Sequence, residues 1–115
     1  MNSDEPIVVL MTAANGEEAT RLAEVLVVAH LAACVQILPE VESVYRWKGQ
    51  IERQAEVLLL AKTTRGKFDE IEQAVRALHS YEVPEIVAMP IIAGSAPYLE
   101  WLKSSLVLDK SAGSS

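Results

Sequence analysis

Two groupings of side chains in this sequence have the makeup for chemistry. The single cysteine, Cys34, lies four residues after His30, and a thiol beside an imidazole is the minimal pairing of a nucleophile with its base. Its context is different: AAC opens an apolar run, where cysteine behaves as a small buried hydrophobe. His30 ends a helical stretch whose direction differs from that of the strand after it. Nothing else resembles a nucleophile and base, so the expectation is a protein that binds rather than one that catalyses. The second grouping is Lys62, Tyr81 and Glu85 as polar groups with Trp47 or Trp101 as an apolar wall, the composition of a small-ligand cleft. Lys62 closes one strand, and Glu85, behind Pro84, opens another. Such strand ends need not be neighbours within one chain, but they can meet across a subunit boundary. The plain alternative is a structural ion pair with aromatic packing around it.

These residues are positioned by a ribbon over residues 33–64. Its arms, AACVQILPEVESVYRW and QIERQAEVLLLAKTT, are strand-like and meet at Lys48-Gly49, where Gly supplies the positive φ of a tight primed turn. At ~3.3 Å per residue an arm of this length reaches about 50 Å, against about 17–20 Å for a usual strand. The inner half carries Val35, Ile37, Leu38 and residues 57–60 as a buried pair. The outer half mixes Glu42, Arg46, Glu52, Arg53 and Glu56 with Val41, Val44, Tyr45, Trp47 and Ile51, and would be marginal alone. Copies of the same chain are therefore expected to cover it, with Tyr45, Trp47 and Ile51 at the contact.

Before the ribbon, residues 7–13 form a nearly all-apolar strand expected to be covered on both faces. Asn15-Gly16-Glu17-Glu18 starts a helix, with Asn15 or a neighbour as cap and two acids in the first turn. Its stripe is Ala19, Leu22, Ala23, Leu26 and Ala29. After the ribbon, Thr63-Thr64-Arg65-Gly66 supplies hydroxyl capping and a break. Phe68, Ile71, Val75 and Leu78 then mark a second helix up to about His79, where an imidazole suits the helix C-terminus. Residues 80–84 form a loop. Residues 85–92 form a fourth strand, which Pro90 places at an edge or a strand end. A last short helix begins near Ser95 or Ala96, tolerates Pro97 in its first turn, and sets Tyr98, Trp101 and Leu102 on one face. The order strand, helix, strand, strand, helix, strand is the ferredoxin-like βαββαβ arrangement of α+β folds, with an extended hairpin between the second and third strands. One sheet face is left apolar, a second reason to expect an oligomer. A single domain over 7–108 is expected, with flexible termini at 1–6 and 109–115.

The chain has 115 residues, half of them apolar, and a net charge of −6 from 10 basic and 16 acidic residues. That balance offers no basic footprint for nucleic acid. No window reaches the ~18 uninterrupted apolar residues of a membrane span. One cysteine suits a reducing compartment, and the cytoplasm is the expected location.

The segments LAACVQILPEVESVYRWKGQIERQAEVLLLAKT, HSYEVPEI and YLEWL together resemble the divalent-cation tolerance family CutA over nearly all of residues 7–106. The resemblance implies a ferredoxin-like protomer in a homotrimer whose hairpins wrap neighbouring subunits. It also implies a role in tolerance of copper and other divalent cations, with weak metal binding and no enzymatic reaction. Architecture shared with the PII signalling proteins implies an alternative, a regulatory or scaffold trimer that takes a small ligand or partner in its clefts. Copper in bacterial relatives goes with a thiol after the first strand, a histidine ending the second helix, and the Glu of the Pro-Glu pair. Here the thiol position is Met11 and Glu85 matches directly. The relatives' adjacent histidines leave one match, His79, while strict spacing from Pro84-Glu85 also admits Leu78. Thioether and imidazole suit Cu(I), and carboxylate with imidazole suits harder divalent ions. The competing readings are core filler for Met11 and a helix cap for His79.

Overall fold

A computed structural model describes residues 2–108; the expected loose tail at 109–115 lies outside them. The elements are β1 (Pro6–Ala13), α1 (Gly16–Val28), β2 (Cys34–Trp47), β3 (Gln50–Thr64), a 3-10 turn (Arg65–Lys67), α2 (Phe68–Leu78), β4 (Ile86–Pro90) and α3 (Ala96–Ser105). The sheet order is β2-β3-β1-β4 with every neighbouring pair antiparallel, which is the expected ferredoxin-like arrangement.

The core follows from two periodicities. Alternate residues of β1 (Ile7, Val9, Met11 and Ala13) and of β3 (Val57, Leu59 and Ala61) are buried in one cluster with Ala19, Leu22 and Leu26 of α1 and Ile71 and Val75 of α2. On the opposite face β1 is less covered than expected, since Val8 and Leu10 are only half-buried. α3 packs against β1 and β3 and buries Leu102 and Leu106, while Leu38, Val87 and Met89 remain exposed.

Helix ends are set by local hydrogen bonding. Asn15 is extended and its side chain accepts from Glu18 N–H at 2.9 Å. At the other end His30 takes a left-handed φ of 60°, and the N–H groups of Leu31 and His30 return to the carbonyls of Leu26 and Val27. This is a Schellman closure with histidine where glycine is usual. The hydroxyl cap expected before α2 is replaced by the 3-10 turn, for Thr64 makes no side-chain cap. Thr63 Oγ1 instead donates to the Leu31 carbonyl at 2.6 Å. That turn also holds the leader, because Arg65 N–H donates to Glu5 O and Gly66 N–H to Ser3 O. Ser3 and Glu5 are thus bonded to the turn within the segment expected as a flexible terminus.

The ribbon draws the molecule out to 53 Å along its longest axis. Its turn places Lys48 at φ 51° and Gly49 at φ 79°, the two positive values of a type I′ turn. A Cβ at Gly49 would meet nothing within 4 Å, so a substitution there acts through backbone conformation alone. Gly49→Ala is expected to lower folding stability by about 1 kcal/mol, read from the urea midpoint; an unchanged midpoint would mean that the turn adapts. Midway along the ribbon the register shifts between Leu38, paired with Leu58, and Val41, paired with Glu56. Pro39 and Glu40 thus oppose Val57 alone in a β-bulge. Beyond it the odd-numbered Val41, Ser43, Tyr45 and Trp47 share a face with Glu56 and Gln54.

Candidate functional site

Where β1 ends at Ala13, β3 continues without a neighbour on that side, and residues 81–85 approach it instead. The result is a concavity of about 550 Å³ lined by Thr12, Tyr45, Trp47, Glu56, Tyr81 and Glu85, together with residues 43–44, 54 and 82–83. Its size falls in the range of small-ligand pockets. Tyr81 Oη donates to Glu56 Oε2 at 2.8 Å. Burial, and then this hydrogen bond and the charge of Glu56, hold the Tyr81 phenol proton above its usual range. Tyr45 Oη donates to Gln54 Oε1 at 2.7 Å.

Behind the pocket lies a buried polar knot. Ala14 N–H donates to Glu18 Oε1 at 2.8 Å and Ser80 N–H to Glu18 Oε2 at 2.7 Å. Burial pushes the Glu18 carboxyl up, but the hydrogen bonds from Ala14 and Ser80 and the nearby His79 outweigh it and leave the group below its usual value. Tyr81 N–H donates to His79 Nδ1 at 3.0 Å, so the ring proton sits on Nε2, 2.6 Å from the Thr12 carbonyl. The His79 side chain has no exposed surface, and its ring lies tilted against that of Tyr81 with centroids 4.7 Å apart. Glu18 and His79 therefore fix the start of the loop whose later residues line the pocket.

The expected cleft is assembled in part. Tyr81, Glu85 and Trp47 share the pocket, whereas Lys62 and Trp101 are not among its walls. Lys62 pairs across β2 with Cys34 and donates to Gln36 Oε1 at 2.7 Å. Trp101 sits on α3 with its ring 5.5 Å from that of Tyr98, both partly exposed. His30 Nδ1 lies 3.1 Å from the Ser105 carbonyl, which ties the ring to the end of α3. Tyr45, Trp47 and Ile51 of the proposed contact surface are exposed.

The suggested metal ligands meet different surroundings within the chain. Met11 is fully buried on the helix side of the sheet, and both ring nitrogens of His79 are engaged. Only Glu85 faces the pocket with its side chain open. Among the described residues no group of three or more His, Cys, Asp or Glu is placed to hold a metal ion. Glu18, Glu56 and Thr12 were not foreseen as site residues. For Glu18 a signal existed, since Asn15-x-x-Glu18 has capping-box spacing. For Glu56 there was none.

Comparison with known proteins places these features in a family. Residues 7–105 match the model described as CutA1 divalent ion tolerance protein. The chain is 48% identical over 98 residues to the divalent-cation tolerance protein CutA of Thermus thermophilus, which covers 85% of this chain and 95% of that one. Against the chloroplastic Protein CutA 1 of Oryza sativa the identity is 48% over 99 residues, 86% of this chain but 56% of the other. This chain thus spans about half of that longer protein. The solved structure of CutA1 from Oryza sativa superimposes with a TM-score of 0.85 at 46% identity, covering 88% and 93% of the two chains. That of the Thermus thermophilus protein gives 0.85 at 47%, covering 87% and 97%.

Proposed function

The chain belongs to the CutA1 divalent ion tolerance family, and from that premise we propose that it acts as a homotrimer in tolerance of divalent cations, copper among them, in the cytoplasm. The observation that carries the reading is the outer ribbon. Val44, Tyr45, Trp47 and Ile51 remain exposed on the two outer arms of the ribbon, and apolar arms of that kind are stable when shared between subunits. With β4 at the open edge and Val87 and Met89 exposed, the uncovered sheet face supports the same assembly. No helix among the described residues is long and apolar enough to cross a membrane. The single Cys34 suits a reducing compartment.

Metal contact in this reading is weak and centred on Glu85, the one candidate ligand whose side chain is open to the pocket. Calorimetric titration with Cu(II) and Zn(II) is expected to give low-affinity binding that Glu85→Ala reduces by about tenfold, the factor that ~1.4 kcal/mol of lost interaction corresponds to. Equal affinity in the variant would remove Glu85 from the assignment. A second reading, a regulatory or scaffold trimer binding a small ligand in its clefts, draws on the aromatic pocket.

A further inference from the structure

Asn15-Gly16 opens α1, and the glycine answers no structural demand there. Its φ is not in the left-handed region, and a Cβ built on it would meet nothing within 4 Å. A residue with a side chain would fit and would favour the helix. What the pair does carry is a reactivity. Asparagine is a thermolabile residue, because the backbone nitrogen that follows it can attack the side-chain Cγ. Glycine leaves that nitrogen uncrowded, having no Cβ. Both residues are exposed, so water reaches the ring that such an attack would form.

The fold opposes the attack only with the bonds of the helix start. Asn15 Oδ1 accepts from Glu18 N–H at 2.9 Å, and the Asn15 carbonyl accepts from Ala19 N–H at 3.1 Å. Turning Cγ onto the Gly16 nitrogen gives up the first, and turning the peptide plane to meet it gives up the second. Two hydrogen bonds of ordinary net strength slow the step by about 30-fold relative to an open chain. They do not stop it, since an exposed helix end opens locally far more often than the whole domain unfolds.

We propose that Asn15 is a deamidation site of the folded protein. The Gly16 nitrogen loses its proton to solvent base and bonds to Asn15 Cγ, while the Cγ–Nδ2 bond breaks and that nitrogen leaves as ammonia. Water then opens the cyclic imide at either carbonyl, giving aspartate or isoaspartate with no change in oxidation state. The two products act differently on α1. Aspartate caps about as well as asparagine and adds a charge that the helix N-terminus favours. Isoaspartate inserts a methylene into the main chain and removes the cap. It thereby loosens the turn that carries Glu18, whose carboxylate accepts from the N–H groups of Ala14 and Ser80. The inference rests on neither the metal reading nor the cleft reading.

The test holds the intact full-length protein in mildly alkaline buffer, folded or unfolded in guanidinium, and follows the peptide containing Asn15 by mass spectrometry. Exchange of NH2 for OH raises its mass, and enzymatic methylation marks the isoaspartate fraction. Conversion at Asn15 is expected in the folded protein, about 30-fold slower than in the unfolded chain. Gly16→Ala fits the open space and keeps the cap; it is expected to slow conversion by about tenfold or more with a urea midpoint at or above that of wild type. No conversion in the folded protein while the unfolded chain converts, or equal rates in wild type and Gly16→Ala, overturns the proposal. Asn15→Asp reads the consequence: its urea midpoint is expected to match wild type, whereas the isoaspartate fraction, separated by chromatography, unfolds at lower urea. A wild-type midpoint for that fraction would sink the link to α1.

Discussion

Glu18→Ala is expected to lower folding stability by about 2 kcal/mol, because it removes the acceptor of two part-buried backbone N–H groups at about 1 kcal/mol each. Those groups belong to Ala14 and Ser80, so the carboxylate pins the entry to α1 against the exit from α2. The effect depends on pH in a direction the structure fixes. Burial raises the Glu18 carboxyl, the hydrogen bonds lower it further, and the net shift is downward. A group with a depressed folded-state pKa contributes stability above its unfolded value, about 4.3 for a glutamate, and loses it as pH falls through the folded value. Urea titrations should therefore show a large gap between wild type and variant at about pH 7 that narrows by about pH 3. A gap of the same size at both would mean that the carboxylate charge contributes nothing.

Trp47→Ala and Tyr45→Ala are each expected to weaken self-association by about 2 kcal/mol or more, roughly a 30-fold rise in the dissociation constant. Both rings are partly exposed and neither belongs to the core cluster. Circular dichroism of the variants should accordingly match wild type while sedimentation at high dilution shows loss of mass. Unchanged mass for both variants would remove the ribbon as the contact between copies.

How far the sequence carried depends on whether the deciding interaction is local. The Lys48-Gly49 turn was readable because two positive φ values are a local demand that glycine meets. The α1 stripe and the edge position of β4, marked by Pro90, were readable for the same reason: each is a property of consecutive residues. Glu18 was read only as a first-turn acid favouring the helix dipole, yet it is buried, because one of its two donors, Ser80, lies 62 residues away. Glu56 looked like one charge among several on the outer ribbon, and only the approach of residues 81–85 encloses it. Lys62 and Trp101 were expected to meet Glu85 across a subunit boundary, and within one chain they are not among the pocket walls; Lys62 pairs there with Cys34 and Trp101 packs beside Tyr98.

The two residues that oppose one at Pro39-Glu40 act on the outer ribbon as a frame does on a reading. Each arm alternates, so the bulge decides that even-numbered residues of the inner arm, Gln36 and Leu38, and odd-numbered residues of the outer arm, Tyr45 and Trp47, lie on the face of Glu56. Losing one residue there would leave a single residue opposite Val57 and a regular ladder, while the turn at Lys48-Gly49 would keep Tyr45 and Trp47 on that face. What would go is the local bend and added twist that a bulge gives a strand, and with them the angle at which the outer arm leaves the sheet.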